Sequence, residues 1–200
     1  MYHHKLGTCE KLEVEKMDKP HGIIVFGAGG TGKTTLACEL ARILNFNHFD
    51  TDDYFFEQTD PPFTQARSLS ERISIMRPLL KSNFIISGCL REWGGAFDAM
   101  LSMAIFLVVP TEIRIERLEK REFNRNGERI KLGGDLHSRH KEFIKYVATY
   151  DNGGMETRSL ASQQAWAETL TCPVIRVDGT INWKINAKNI SKQFLECCAK

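Results

Sequence analysis

The stretch Gly27-Ala28-Gly29-Gly30-Thr31-Gly32-Lys33-Thr34 decides how this chain folds. Ahead of it runs Ile23-Ile24-Val25-Phe26, an apolar run closed by glycine, the form of a strand buried on both faces of a parallel sheet. Behind it Leu36, Leu40, Ile43 and Leu44 recur at helical spacing, with Ala37 and Ala41 on the same side. Between strand and helix, glycines let consecutive backbone N–H groups turn toward phosphate oxygens, and the helix adds its positive N-terminal end. Lys33 then reaches the β- and γ-phosphates as a point charge, and the Thr34 hydroxyl serves as a ligand for Mg²⁺. An accidental glycine turn would have no reason to carry this strand and this helix on its flanks. Gly27, Ala28, Gly29, Gly30, Thr31, Gly32, Lys33 and Thr34, with Thr35 after them, are therefore the candidate nucleotide-binding residues.

Working outward, a brief strand pattern ends at Phe49-Asp50, and others return at Phe84-Ile85-Ile86, Ile105 to Val109 and Val174 to Val177. Helical patterns lie between them, at Ser70 to Leu80, Thr111 to Phe123, Arg139 to Tyr150 and Ser159 to Leu170, and Ile190, Phe194 and Cys197 mark a last helix. Alternation of this kind implies right-handed crossovers and a three-layer α/β/α domain around a five-stranded parallel sheet. Gly127, Gly133 and Gly134 fall in a charged stretch between two helices, which reads as a short mobile insertion over about residues 121–138. Residues 1–20 read as an N-terminal extension, and 21–200 as a single domain.

Composition narrows the class. Two hundred residues, 42% hydrophobic and 26% charged, suit a globular domain with a real core. No apolar run approaches the roughly 18 to 20 residues that span a bilayer, and no apolar stretch near the N-terminus suggests a secretory signal. The six cysteines form no CxxC pair, and Cys38 and Cys89 fall in expected core elements, so reduced thiols in a cytoplasmic protein are expected. A net charge of +2 is too small to announce nucleic acid or a membrane surface.

Phosphate binding alone does not separate transferases from switches, and the next acidic cluster bears on that choice. Asp50-Thr51-Asp52-Asp53 begins at the C-terminal end of the second strand, the edge where open parallel sheets bind ligands. Carboxylates there can hold Mg²⁺ or accept a proton from an attacking hydroxyl. They can equally form a solvated turn that caps the next helix, and at this point both readings stand.

Taken together, Gly27 to Thr34 followed one helix later by Phe49-Asp50-Thr51-Asp52 resembles the shikimate and gluconate kinase pattern. Ser87-Gly88-Cys89-Leu90-Arg91, Arg117-Leu118-Glu119-Lys120-Arg121 and Val177-Asp178-Gly179-Thr180 are similar, in order, to segments of the wider adenylate kinase group. The resemblance implies ATP and Mg²⁺ as the donor pair, with Asp50 beside the metal and Asp52 binding or deprotonating a small-molecule acceptor. It also implies that Arg121, with Arg125 or Arg129, closes over the phosphates as a lid. Arg117 and the Asp178-Gly179-Thr180 loop would flank adenine, and Arg139 would be the arginine returning from the lid. The window 114–145 holds ten Lys/Arg against six Asp/Glu, an excess that suits a phosphoryl-transfer lid better than an indifferent helix face.

Three departures stand out. Ser87 replaces the aspartate expected at the end of its strand, the glycine run of shikimate kinases is absent after it, and no proline follows at the Gly88 to Arg91 segment. The acceptor is therefore unnamed, with Asp52, Asp53, Gly88, Arg91 and Arg139 as candidate substrate residues. Arg67, Arg72, Trp93 and Trp166 could line the same pocket, although packing or surface roles are commoner for such residues. His137 and His140 lack a third ligand for a metal. Two rival functions share the loop: a regulatory module that binds or hydrolyses nucleotide, and a polynucleotide 5′-hydroxyl kinase, which would want a broader basic channel.

Overall fold

A computed structural model describes residues 20–198, so the expected N-terminal extension lies outside the described residues except for Pro20. Five strands form the sheet: β1 (Gly22–Phe26), β2 (Asn47–Asp50), β3 (Phe84–Ser87), β4 (Leu101–Val108) and β5 (Val174–Asp178). Their order is β2-β3-β1-β4-β5, with every neighbouring pair parallel. The five-stranded parallel sheet is thus the one expected, and all five C-terminal ends meet at one rim.

Side chains alternate across a strand, and β1 shows the result. Ile23 and Val25 face a core formed with Leu36, Leu40, Ile190 and Phe194, which come from α1 (Lys33–Leu44) and α7 (Trp183–Cys198). Ile24 and Phe26 face the other way, into Met76, Phe84, Trp93 and Trp166. Those residues come partly from α3 (Leu69–Met76) and α6 (Leu160–Glu168). Two apolar layers on opposite faces of one sheet make the three-layer α/β/α fold. Trp166, a candidate pocket residue, belongs to this core, edge-on to Phe26 at a 5.1 Å ring separation.

Helix ends depart from expectation for local reasons. α3 stops at Met76 and gives way to a 3-10 turn at Arg77–Leu79, because Pro78 supplies no N–H for a continuing helix. The acidic cluster itself is helical: α2 (Thr51–Phe55) starts there, with Asp50 as its N-cap. The two helices expected on either side of the glycine stretch are α4 (Thr111–Asn126) and α5 (His137–Ala148), joined through a 3-10 turn at Gly127–Ile130, so that α4 runs three residues further than its pattern and α5 starts two residues earlier. An Arg129–Asp135 ion pair at 2.7 Å closes the connection. Cys38 is exposed rather than buried, since α1 turns Leu36, Ala37, Leu40, Ala41 and Leu44 toward the sheet. The five described cysteines, Cys38, Cys89, Cys172, Cys197 and Cys198, are free thiols. No helix among the described residues is long and apolar enough to cross a membrane.

Candidate nucleotide and acceptor site

The glycine loop joins β1 to α1 at the C-terminal rim of the sheet. Gly30 takes a φ of 81° with the Arg114 carbonyl oxygen only 2.5 Å from where a Cβ would stand, so a side chain there is excluded twice over. The Thr31 hydroxyl turns back to donate to the Ala28 carbonyl at 3.0 Å, and Lys33 Nζ donates to that same carbonyl at 2.7 Å. Held in this way, Lys33 lies across the mouth of the loop. Burial lowers its amine to about 8, an effect that the nearby Asp52 opposes and the Arg158 charge reinforces. Thr35 follows on the exposed first turn of α1.

Of the two roles that its sequence left open, the structure shows Asp50 in the cap, with its second oxygen turned to the glycine loop. Its Oδ1 accepts from the Asp52 N–H at 3.1 Å and so caps α2. Its Oδ2 accepts from the Thr34 hydroxyl at 2.7 Å and from the Ser87 hydroxyl at 2.8 Å. The parallel register sets Asp50 opposite Ser87, so a carboxylate from the neighbouring strand stands beside the position where β3 carries serine. A hydroxyl and a carboxylate this close are hard oxygen donors, which suit Mg²⁺. Because no group of three or more His, Cys, Asp or Glu gathers among the described residues, an ion here would complete its shell with phosphate oxygens and water. His137 spends its Nδ1 on the Ile130 carbonyl at 3.0 Å, a role inside the hairpin.

Asp52 projects into the cleft beyond. Loss of surrounding water and then the Asp50 charge raise its carboxyl above the ordinary range, while Arg158, Lys33 and Arg121 pull it back. Asp52 and Asp53 share a cleft with Phe56, Glu57, Pro62 and Phe63. Desolvation also raises Asp53, and holds His48, two residues before Asp50 on β2, below its usual value.

Of the expected arginines, Arg117 donates to the Thr31 carbonyl at 3.4 Å and to the Gly179 carbonyl at 3.2 Å, tying the glycine loop to the turn after β5. In that turn Asp178 Oδ1 accepts from the Thr180 N–H and hydroxyl at 2.8 and 2.7 Å. Arg121 pairs with Glu122 at 3.1 Å and faces Asp52 electrostatically. Arg125 and Arg139 are engaged elsewhere. Arg125 lies over the Phe63 ring at 5.3 Å, and Arg139 donates to the Pro62 and Phe63 carbonyls at 2.9 and 3.0 Å. Arg67 is a helix cap, donating to the Asp53, Tyr54 and Phe56 carbonyls at the end of α2. Gly88 packs on Thr51, whose hydroxyl accepts from the Cys89 N–H at 3.3 Å.

One charge close to Asp52 and Lys33 carried no motif in the sequence. Arg158, just before the capping box of α6, pairs with Glu92 at 3.2 Å and brings its charge to Asp52 and Lys33. Arg91 lies 4.0 Å from the same carboxylate and donates to the Met155 carbonyl at 2.6 Å. Arg72 spreads over the Phe55 and Trp93 rings at 4.1 and 5.4 Å, and its buried Nε and Nη1 have no hydrogen-bond partner. A basic residue at a helix start was the available signal for Arg158, too weak to separate it from a surface charge.

Comparison with known proteins adds lineage. The model of a family described as an AAA domain matches residues 23–136. YqaC, an uncharacterized protein of Bacillus subtilis, is 35% identical over 168 residues, which cover 82% of this chain and 93% of YqaC. Solved structures with some likeness include a shikimate kinase from Acinetobacter baumannii in complex with shikimate, at 16% identity and a TM-score of 0.49, covering 88% of this chain and 94% of that one. A Janibacter sugar kinase follows at 17% identity and 0.49, covering 89% and 95%. A deoxyadenosine kinase from M. mycoides with bound products stands at 18% and 0.48, covering 86% and 97%. Likeness at this level names no substrate for the present chain.

Proposed function

The chain belongs to the family of P-loop proteins described as the AAA domain, and on that premise we propose that it is an ATP-dependent kinase for a small hydroxyl- or phosphate-bearing acceptor. One observation carries the reading: Asp50 accepts from the Thr34 hydroxyl next to Lys33 and caps α2 through the Asp52 N–H, which brings Asp52 within electrostatic reach of Lys33. A donor loop and an acceptor base within one electrostatic neighbourhood suit transfer better than hydrolysis alone.

In this reading Lys33 and the loop N–H groups hold the phosphates, and Thr34 and Asp50 hold Mg²⁺, which when bound neutralises charge on the phosphate oxygens. Asp52 orients the acceptor hydroxyl and takes its proton, a task helped by a carboxyl more basic than usual. Arg121 and Arg158 stabilise charge that builds on the phosphoryl group. Arg117 and the Asp178-Gly179-Thr180 turn border the adenine. The acceptor side adds a preference: Arg158, Arg91 and Arg72 gather round the single carboxylate of Glu92, which favours an acceptor carrying an anionic group.

Two variants test the reading. Lys33→Ala should abolish nucleotide binding. Asp52→Asn should bind ATP as the wild type does and lose acceptor-stimulated ADP release, measured across a panel of hydroxyl-bearing acids, phosphates, polyols and nucleosides. Equal ADP release by Asp52→Asn and wild type would sink the role of Asp52. ADP release that no acceptor stimulates would favour a regulatory module.

A further inference from the structure

A line of hydrogen bonds runs from the surface of α1 to the Asp50 carboxylate. Cys38 Sγ stands 3.5 Å from His48 Nδ1, and His48 Nε2 stands 3.0 Å from Ser87 Oγ. Ser87 Oγ in turn lies 2.8 Å from Asp50 Oδ2. Counting donors fixes the direction of the line. A carboxylate accepts only, so Ser87 donates its single hydroxyl proton to Asp50. The Ser87 oxygen must then accept from His48, which places the ring proton on Nε2. Nδ1 is left as an acceptor for the Cys38 thiol, and a ring held at both nitrogens has one tautomer and one orientation.

Strand geometry explains why His48 occupies this place. His48 and Asp50 are two residues apart on β2 and share a face of the sheet, while Ser87 sits opposite Asp50 on β3. The histidine and the carboxylate therefore address the same hydroxyl from one strand. With His48 donating, the Ser87 lone pair is engaged and its proton points to Asp50. Without His48, the Ser87 oxygen loses its donor, and the hydroxyl beside Asp50 is held from one side only.

We infer that His48, acting through Ser87, is a positioning residue that orients the cation-holding carboxylate of Asp50. The inference rests on the kinase reading only in giving Asp50 a share of the metal. Groups that orient a metal ligand in this way are worth about 10- to 100-fold in metal affinity.

Cation binding is the direct test, with Mn²⁺ titrated into the full chain in excess ADP and read by electron paramagnetic resonance. His48→Leu removes the N–H donor and should weaken Mn²⁺ about tenfold or more, while ADP measured without metal binds as before. His48→Gln, which keeps an N–H at the corresponding reach, should recover most of that loss. Ser87→Ala should reproduce the His48→Leu loss, and it tests the same contact should the leucine variant misfold. Unchanged Mn²⁺ affinity in His48→Leu or in Ser87→Ala overturns the inference, as does a glutamine variant no better than leucine. None of these readouts involves an acceptor. An enzyme that no acceptor stimulates would refute the kinase reading and leave the Mn²⁺ result standing.

Discussion

Lys33 is the residue whose chemistry is easiest to expose. With its amine lowered to about 8, it is charged below that pH and neutral above it. Because only the charged form attracts phosphate, affinity for ADP should hold steady below about pH 7 and fall about tenfold between pH 7 and pH 9. Equilibrium binding of a fluorescent ADP analogue across that range checks the expectation, and a flat profile would mean that the amine stays charged throughout. Lys33 and Thr34 were legible in the sequence because a short spacing on one strand-loop-helix unit determines where they stand, and Asp50 because it closes the strand that follows. Arg158 and Glu92 were not, since their contact spans 66 residues and depends on how separate elements pack. His48 was hidden for a related reason: its meaning comes from Ser87, 39 residues away on the next strand.

At the scale of elements, the helical hairpin α4–α5 and the segment between α2 and α3 behave as a pair. That segment is closed at its base by the Phe56–Ala66 bridge and by the Glu57 N–H donating to the Gln65 carbonyl at 2.9 Å. From the hairpin, Arg139 holds its tip through the Pro62 and Phe63 carbonyls, and Arg125 covers Phe63. Arg139→Ala should release the tip, seen as faster amide exchange over residues 57–65, at a stability cost below about 1 kcal/mol because the contact is exposed. Protection unchanged from wild type would show that the aromatic packing of Phe56 against Phe63 suffices alone. A mixed-charge helix face does not reveal which of its arginines reach phosphate and which reach a neighbouring turn, so Arg125 and Arg139 were placed by tertiary packing alone.

For the molecule as a whole, Arg114 links the layers. Its fully buried guanidinium donates to the Val109 carbonyl at 3.0 Å, the Thr111 hydroxyl at 2.6 Å and Asp151 at 3.1 Å. Those bonds fasten the start of α4 to the end of β4 and to the chain leading toward Arg158. Arg114→Met should cost about 2–4 kcal/mol in urea unfolding, less than the loss of a fully buried ion pair because Asp151 stays partly in water. The sheet itself was legible from four short apolar runs and a briefer pattern ending at Phe49-Asp50, whereas a buried arginine within a charged helix was not. The all-parallel order has one more consequence. Every strand ends at the rim that carries the candidate site, so among the described residues the opposite rim, where the exposed Thr171 leads into β5, holds none of the residues proposed for it. Foreign sequence grafted there would be carried on the side of the protein farthest from nucleotide and acceptor, which makes that turn the natural handle for immobilising the molecule.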